Sequence, residues 1–142
     1  MDVLLAQDDR ALRARWQLAL RASGHRVLAA ASGGPSRRLL LTHGIDAMVV
    51  DLDGSPAGAL ATAAMACWRN PDCAIVVVSG GALFARGELF TLVPGMAAFL
   101  HKPIRPHELV ATVEHHARHA EPVMPASLCG AGEIAAVTPG RR

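Results

Sequence analysis

Short apolar runs alternate along the chain with longer stretches in which apolar residues recur every three or four positions. The runs fall at 3–6, 27–30, 47–50, 74–78 and 97–101. Apolar at nearly every position, they suit strands buried on both faces of a sheet. Between the first two, Leu12, Trp16, Ala19 and Leu20 recur at helical spacing, with Arg10, Arg13, Arg15 and Arg21 on the other side. Gly24 sits where a C-cap glycine would end that helix. Pro35 suits the first turn of a second helix. Leu39, Leu40 and Leu41 are candidates for its apolar face, and Gly44 for its close. The Ala-rich stretch 57–69 favours a helix that Asn70-Pro71 breaks. A further helix is expected from about 83 or 84 to 93, before Pro94-Gly95. Pro106 opens a last one, with Leu109, Val110 and Val113 on one face and its end near 120.

Five strand–helix alternations predict an α/β fold: a doubly wound parallel sheet of five strands, covered on both faces. Right-handed crossovers and the common strand order give 2-1-3-4-5. A chain of 142 residues makes one core. Aromatics are only 4 % of it, so Ala, Val and Leu must do the packing. Residues 121–142 hold Pro122, Pro125, Pro139 and several Gly with little apolar periodicity; they are read as a flexible tail to a domain at 1–120. A formal charge of +2 speaks against an electrostatic grip on nucleic acid. The 3 Cys form no Cys-x-x-Cys motif and no His stands at zinc spacing, which disfavours a disulfide framework and suits a reducing compartment. With no signal-like leader and no membrane-length apolar run, a soluble, cytoplasmic protein without a membrane partner is expected.

The third run ends in Asp51. In open α/β sheets the C-terminal edge of the strands is where ligands bind. Asp51-Leu52-Asp53-Gly54-Ser55-Pro56 is also turn chemistry, so Asp51 alone is open to either reading. The other strand ends change the weighting. The first strand delivers Asp8 and Asp9, the third Asp51 with Asp53 behind it, the fourth Ser79 and the fifth Lys102. In the order 2-1-3-4-5 these four ends are neighbours at one edge. Clustered oxygen ligands of this kind suit Mg²⁺, and carboxylates so close need a cation or Lys102 to offset their repulsion.

The ordered set resembles the receiver domain of two-component response regulators, a flavodoxin-like (βα)5 fold. It comprises the acidic pair Asp8-Asp9, the strand from Asp46 to Asp51 with acids at both ends, Ser79 after strand four, and Lys102-Pro103 after strand five. Phe99, three before the lysine, matches the family's aromatic switch position. The resemblance covers residues 1 to about 120. It implies that Asp51 accepts a phosphoryl group from a phosphohistidine on a sensor histidine kinase or histidine phosphotransfer protein. It implies Mg²⁺ held by Asp9, Asp51 and the backbone carbonyl of Asp53, with Asp8 acting partly through water. Lys102 would pair with the phosphoryl group, Ser79 would hydrogen-bond it, and Ser79 and Phe99 would carry the switch. The loop departs from the family pattern: Pro56 comes one place late, and Gly54 follows Asp53 directly.

The expected function is that of a single-domain response regulator, not an enzyme, signalling to a downstream protein target by contact. The alternative is a pseudo-receiver, a non-phosphorylated interaction module, against which the acidic pocket argues. A nucleotide- or flavin-binding enzyme is disfavoured, because Gln7-Asp8-Asp9 after strand one presents negative charge where a glycine-rich phosphate loop would stand.

Overall fold

The computed structural model describes residues 1–81, 93 and 95–118. Its elements run β1 (Asp2–Ala6), α1 (Arg10–Ala22), β2 (Arg26–Ala30), α2 (Gly34–Thr42), β3 (Ala47–Asp51), α3 (Pro56–Arg69), β4 (Ala74–Ser79), β5 (Met96–His101) and α4 (Pro106–Arg118). The helix expected at 83–93 and the tail at 121–142 lie outside the described residues, Val93 apart. The five strands form one parallel sheet in the order β2-β1-β3-β4-β5, as the alternation of elements predicts.

Every residue of β3 and β4 is buried, which is why both are apolar without alternation up to their last residues, Asp51 and Ser79. Side chains still alternate between two cores. Leu4, Ala6, Met48, Val50, Ile75 and Val77 share one face of the sheet with Leu40 of α2 and Ala59, Ala63 and Ala66 of α3. The small alanine face lets α3 lie close to the strands. Val3, Leu5, Val49, Val76 and Val78 share the other face with Trp16 and Leu20 of α1 and Leu109, Val110 and Val113 of α4. Each fully buried Val or Leu contributes about 1.5–3 kcal/mol.

Helix ends follow local chemistry. Asp9 caps α1, its Oδ1 accepting the N–H groups of Ala11 (2.9 Å) and Leu12 (3.1 Å). Gly24, just past that helix, has φ +92°, the left-handed backbone that glycine takes without strain. Helix α2 ends at His43 in an extended conformation, so Gly44 does not cap it. Leu41 is 52 % exposed and leaves the apolar face to Leu39 and Leu40. Between β4 and β5 the register shifts at Ile75/Val76, and β5 begins at Met96. The ends of β1, β3, β4 and β5 therefore meet at one edge. Among the described residues no helix is long and apolar enough to cross a membrane.

Candidate functional site

Asp51 ends β3 with 1 % of its surface exposed. A carboxylate this buried costs several kcal/mol unless its lone pairs are met. They are. Oδ1 accepts the Asp53 N–H at 2.8 Å, and Oδ2 accepts the Gln7 amide Nε2–H at 2.6 Å and pairs with Lys102 Nζ.

Gln7, 2 % exposed, is the first residue past β1 and the one whose part is not legible in the acidic motif beside it. Its Oε1 accepts the Asp9 N–H at 2.9 Å while its amide nitrogen turns to Asp51. The only signal for it in the sequence is that a long polar side chain directly follows a fully apolar strand.

Asp8 and Asp9 divide differently from the sequence expectation. Asp9, expected to face Asp51 as a direct metal ligand, has its carboxylate turned to the N-terminus of α1. Asp8, expected to act partly through water, is the acid of the pair that turns toward the loop after β3. Its Oδ1 accepts the N–H and hydroxyl of Ser32 at 2.8 and 3.1 Å. Its side chain lies so near Gly54 that a Cβ there would stand 2.7 Å from Asp8 Cβ and 2.9 Å from its Cγ. Glycine at 54 is the condition for that approach. The physical reason is that one carboxylate must cap the exposed amides of α1, and the residue directly before the helix has the geometry for it.

Asp53 lies two residues past Asp51 and reaches across to β4 and β5. Oδ1 accepts the Ser79 hydroxyl at 2.8 Å, and Oδ2 accepts the Gly80 N–H at 2.9 Å and pairs with Lys102 Nζ at 2.9 Å. Burial raises its pKa, but hydrogen bonds from Lys102, Gly80 and Ser79 outweigh this and hold the carboxyl at about 2. Burial likewise disfavours the Lys102 ammonium, and the hydrogen bonds to Asp51 and Asp53 outweigh it and raise its pKa. The lysine is carried to this point by β5. Its own N–H donates to Ser79 O at 3.0 Å, and the Lys102–Pro103 peptide is cis. Phe99 pairs in register with Val77 on β4 and packs, half-buried, against the core shared with α2 and α3.

The structure thus joins Asp51, Asp53, Ser79 and Lys102 in one bonded group, with Asp8 beside the loop, Gln7 added and Asp9 apart. Among the described residues no three His, Cys, Asp or Glu side chains are placed to hold a metal ion. Magnesium asks for only one or two carboxylates, completed by water and other oxygens. Asp8 and Asp51, with the Asp53 carbonyl, are donors of the right kind. The Oδ2 of Asp8 accepts no hydrogen bond from the described residues. The donor set fits a hard cation through Asp8, not through Asp9.

Residues 3–114 match the family described as the response regulator receiver domain. No curated protein matches the chain. Among solved structures, a CheY-like response regulator receiver domain protein from Methanospirillum hungatei is 20 % identical, with a TM-score of 0.75 over 84 % of this chain and 94 % of the other. A response regulator from Burkholderia pseudomallei, with a phosphorylated aspartic acid, calcium ion and citrate, is 22 % identical, with a TM-score of 0.70 over 83 % of this chain and 69 % of the other. The response regulator TrrA from Thermotoga maritima, in complex with Mg²⁺-BeF, is 17 % identical, with a TM-score of 0.69 over 80 % of this chain and 96 % of the other.

Proposed function

We propose a function that proceeds from one premise: the chain belongs to the response regulator receiver domain family. On that basis Asp51 is a phosphoacceptor, supplied by a phosphohistidine on a sensor histidine kinase or histidine phosphotransfer protein, and the phosphorylated form signals to a protein target by contact. The observation that carries this reading is a buried carboxylate at the end of β3 in an ion pair with Lys102 from the end of β5. A phosphorylated aspartic acid in one similar response regulator and Mg²⁺-BeF in another support it.

In the transfer, an Asp51 carboxylate oxygen attacks phosphorus. The phosphorus–nitrogen bond to the donor imidazole breaks, and the imidazole nitrogen leaves with the electron pair. Little else is asked of the protein beyond position and charge. Lys102 offsets the negative charge of Asp51 and of the incoming group. The Ser79 hydroxyl and Gly80 N–H are donors for phosphoryl oxygens. The Gln7 amide holds Asp51 from below without adding a charge. A magnesium ion, held by Asp8, Asp51 and the Asp53 carbonyl, would neutralise phosphoryl charge when bound. Asp9 serves the reaction only by fixing the start of α1.

One observation favours the second reading, a pseudo-receiver that is not phosphorylated: Asp51 Oδ2 is engaged by both Gln7 and Lys102. Intact-mass measurement after incubation with acetyl phosphate and Mg²⁺ separates the two. A single phosphoryl adduct on the native chain, lost in Asp51→Asn, is expected. No adduct overturns phosphorylation at Asp51 and leaves the pseudo-receiver. An adduct retained in Asp51→Asn overturns Asp51 as the acceptor and places the phosphoryl group on another residue.

A further inference from the structure

The three donors that this reading assigns to phosphoryl oxygens already share one anion. Ser79 Oγ–H, Gly80 N–H and Lys102 Nζ all end on the carboxylate of Asp53, at 2.8, 2.9 and 2.9 Å. They come from the ends of two strands, so the carboxylate sits where β4 and β5 jointly point. The Asp53 N–H, bonded to Asp51 Oδ1 at 2.8 Å, ties the loop down so that the side chain spans this gap. Gly80 makes room: a Cβ there would stand 3.3 Å from Asp53 Oδ2.

A hydroxyl and a backbone amide each have one hydrogen to give. They cannot serve Asp53 and a phosphoryl group together, and Lys102, already paired with both Asp51 and Asp53, would have to meet a third negative group. We infer that Asp53 is a tethered competitor for the phosphoryl group, filling the donor cradle at rest, so that phosphorylation of Asp51 must expel its carboxylate. The inference rests on the proposed phosphoryl site and adds its regulation. Asp53 is suited to leaving, because its side chain is 34 % exposed and faces solvent once released. The same exchange leaves Ser79 and Lys102 drawn toward an anion in both states. The change on phosphorylation is then chiefly the release of the Asp53 side chain, with its backbone still tied at Asp51.

The test is the affinity for beryllofluoride with saturating Mg²⁺, read by NMR titration, in the native chain, Asp53→Ala, Ser79→Ala and the double variant. Asp53→Ala is expected to bind tighter by about tenfold or more, the scale of releasing charge-assisted hydrogen bonds. Loss of a nearby negative charge would by itself also favour an anion, and the double variant separates the two. Under competition, Ser79→Ala removes a donor from competitor and ligand alike in the native chain, but only from the ligand once Asp53 is gone. Ser79→Ala should therefore weaken binding severalfold more in the Asp53→Ala background. Native binding that Asp53→Ala leaves unchanged, or equal effects of Ser79→Ala in both backgrounds, overturns the competitor while leaving Asp51 as acceptor. Absence of binding to either Asp53 form, together with absence of an acetyl phosphate adduct, overturns both.

Discussion

A carboxylate oxygen bound to two backbone amides at a helix start is poorly placed to serve a cation as well. Asp9 is committed to the helix, with Ala11 and Leu12 as its donors. Asp8 is held by Ser32 through one oxygen and keeps the other toward Gly54. The two acids should therefore fail in opposite ways. Asp9→Ala is expected to cost about 1 kcal/mol in urea unfolding, the usual loss of an N-cap, and to leave Mg²⁺ affinity nearly unchanged. Asp8→Ala is expected to weaken Mg²⁺ roughly tenfold or more, as calorimetry would read it. The reverse pattern would return the metal to Asp9. Gln7 belongs to the same scale: a neutral amide at the base of Asp51 supplies a hydrogen bond where an acid would have supplied repulsion.

Helix α3 and strand β4 bring two thiols into an apolar setting. Cys73, just before β4, is 6 % exposed, and burial pushes its thiol up to about 12, with Cys67 and Asp46 adding to the shift. Burial also raises the Cys67 thiol, against a lowering hydrogen bond from the Gly95 N–H. Since the thiolate is the reactive form, Cys73 at pH 8 has almost none to offer. Alkylation with iodoacetamide, mapped by peptide mass, is expected to leave Cys73 unmodified in the native protein and to label it in denaturant. Cys67 should react more slowly than a free thiol. Rapid native labelling of Cys73 would mean that the α3–β4 packing opens. The packing there is tight: a Cβ at Gly95 would stand 2.6 Å from Cys67 Sγ.

On the scale of the whole molecule, the sheet divides one hydrophobic interior into two layers. Every buried apolar residue among those described falls between Val3 and Val113. At the far side from the acidic edge, His25 Nε2 lies 2.6 Å from Glu114 Oε2 and ties the β2 approach to α4. We assign the folding unit to the chain through about 120. A form ending at Ala120 is then expected to melt within about 4 °C of the full chain, the size of a 1 kcal/mol change. A larger drop in calorimetry would show that residues 121–142 contribute to the core.

The alternation of elements, the strand order and the placing of Asp51, Ser79 and Lys102 at one edge were all determined by the sequence itself. The central strands β3 and β4, buried on both faces, must be apolar up to their last residue, so their ends stand out as the first polar residue after the run. The edge strands β2 and β5 are only half-buried yet keep short apolar runs. Helices that bury one face repeat locally, and α/β connection rules then leave few ways to order the sheet. The tertiary structure alone decided what the residues beyond those ends do. Past a strand the backbone no longer alternates, and the direction of Gln7, Asp8 and Asp9 depends on the demand for a cap at the start of α1. The reach of Asp53 to Ser79, Gly80 and Lys102 depends on three strand ends meeting in space. Neither is a property of spacing along the chain, because each is set by which hydrogen-bond donors the folded neighbours leave to be satisfied.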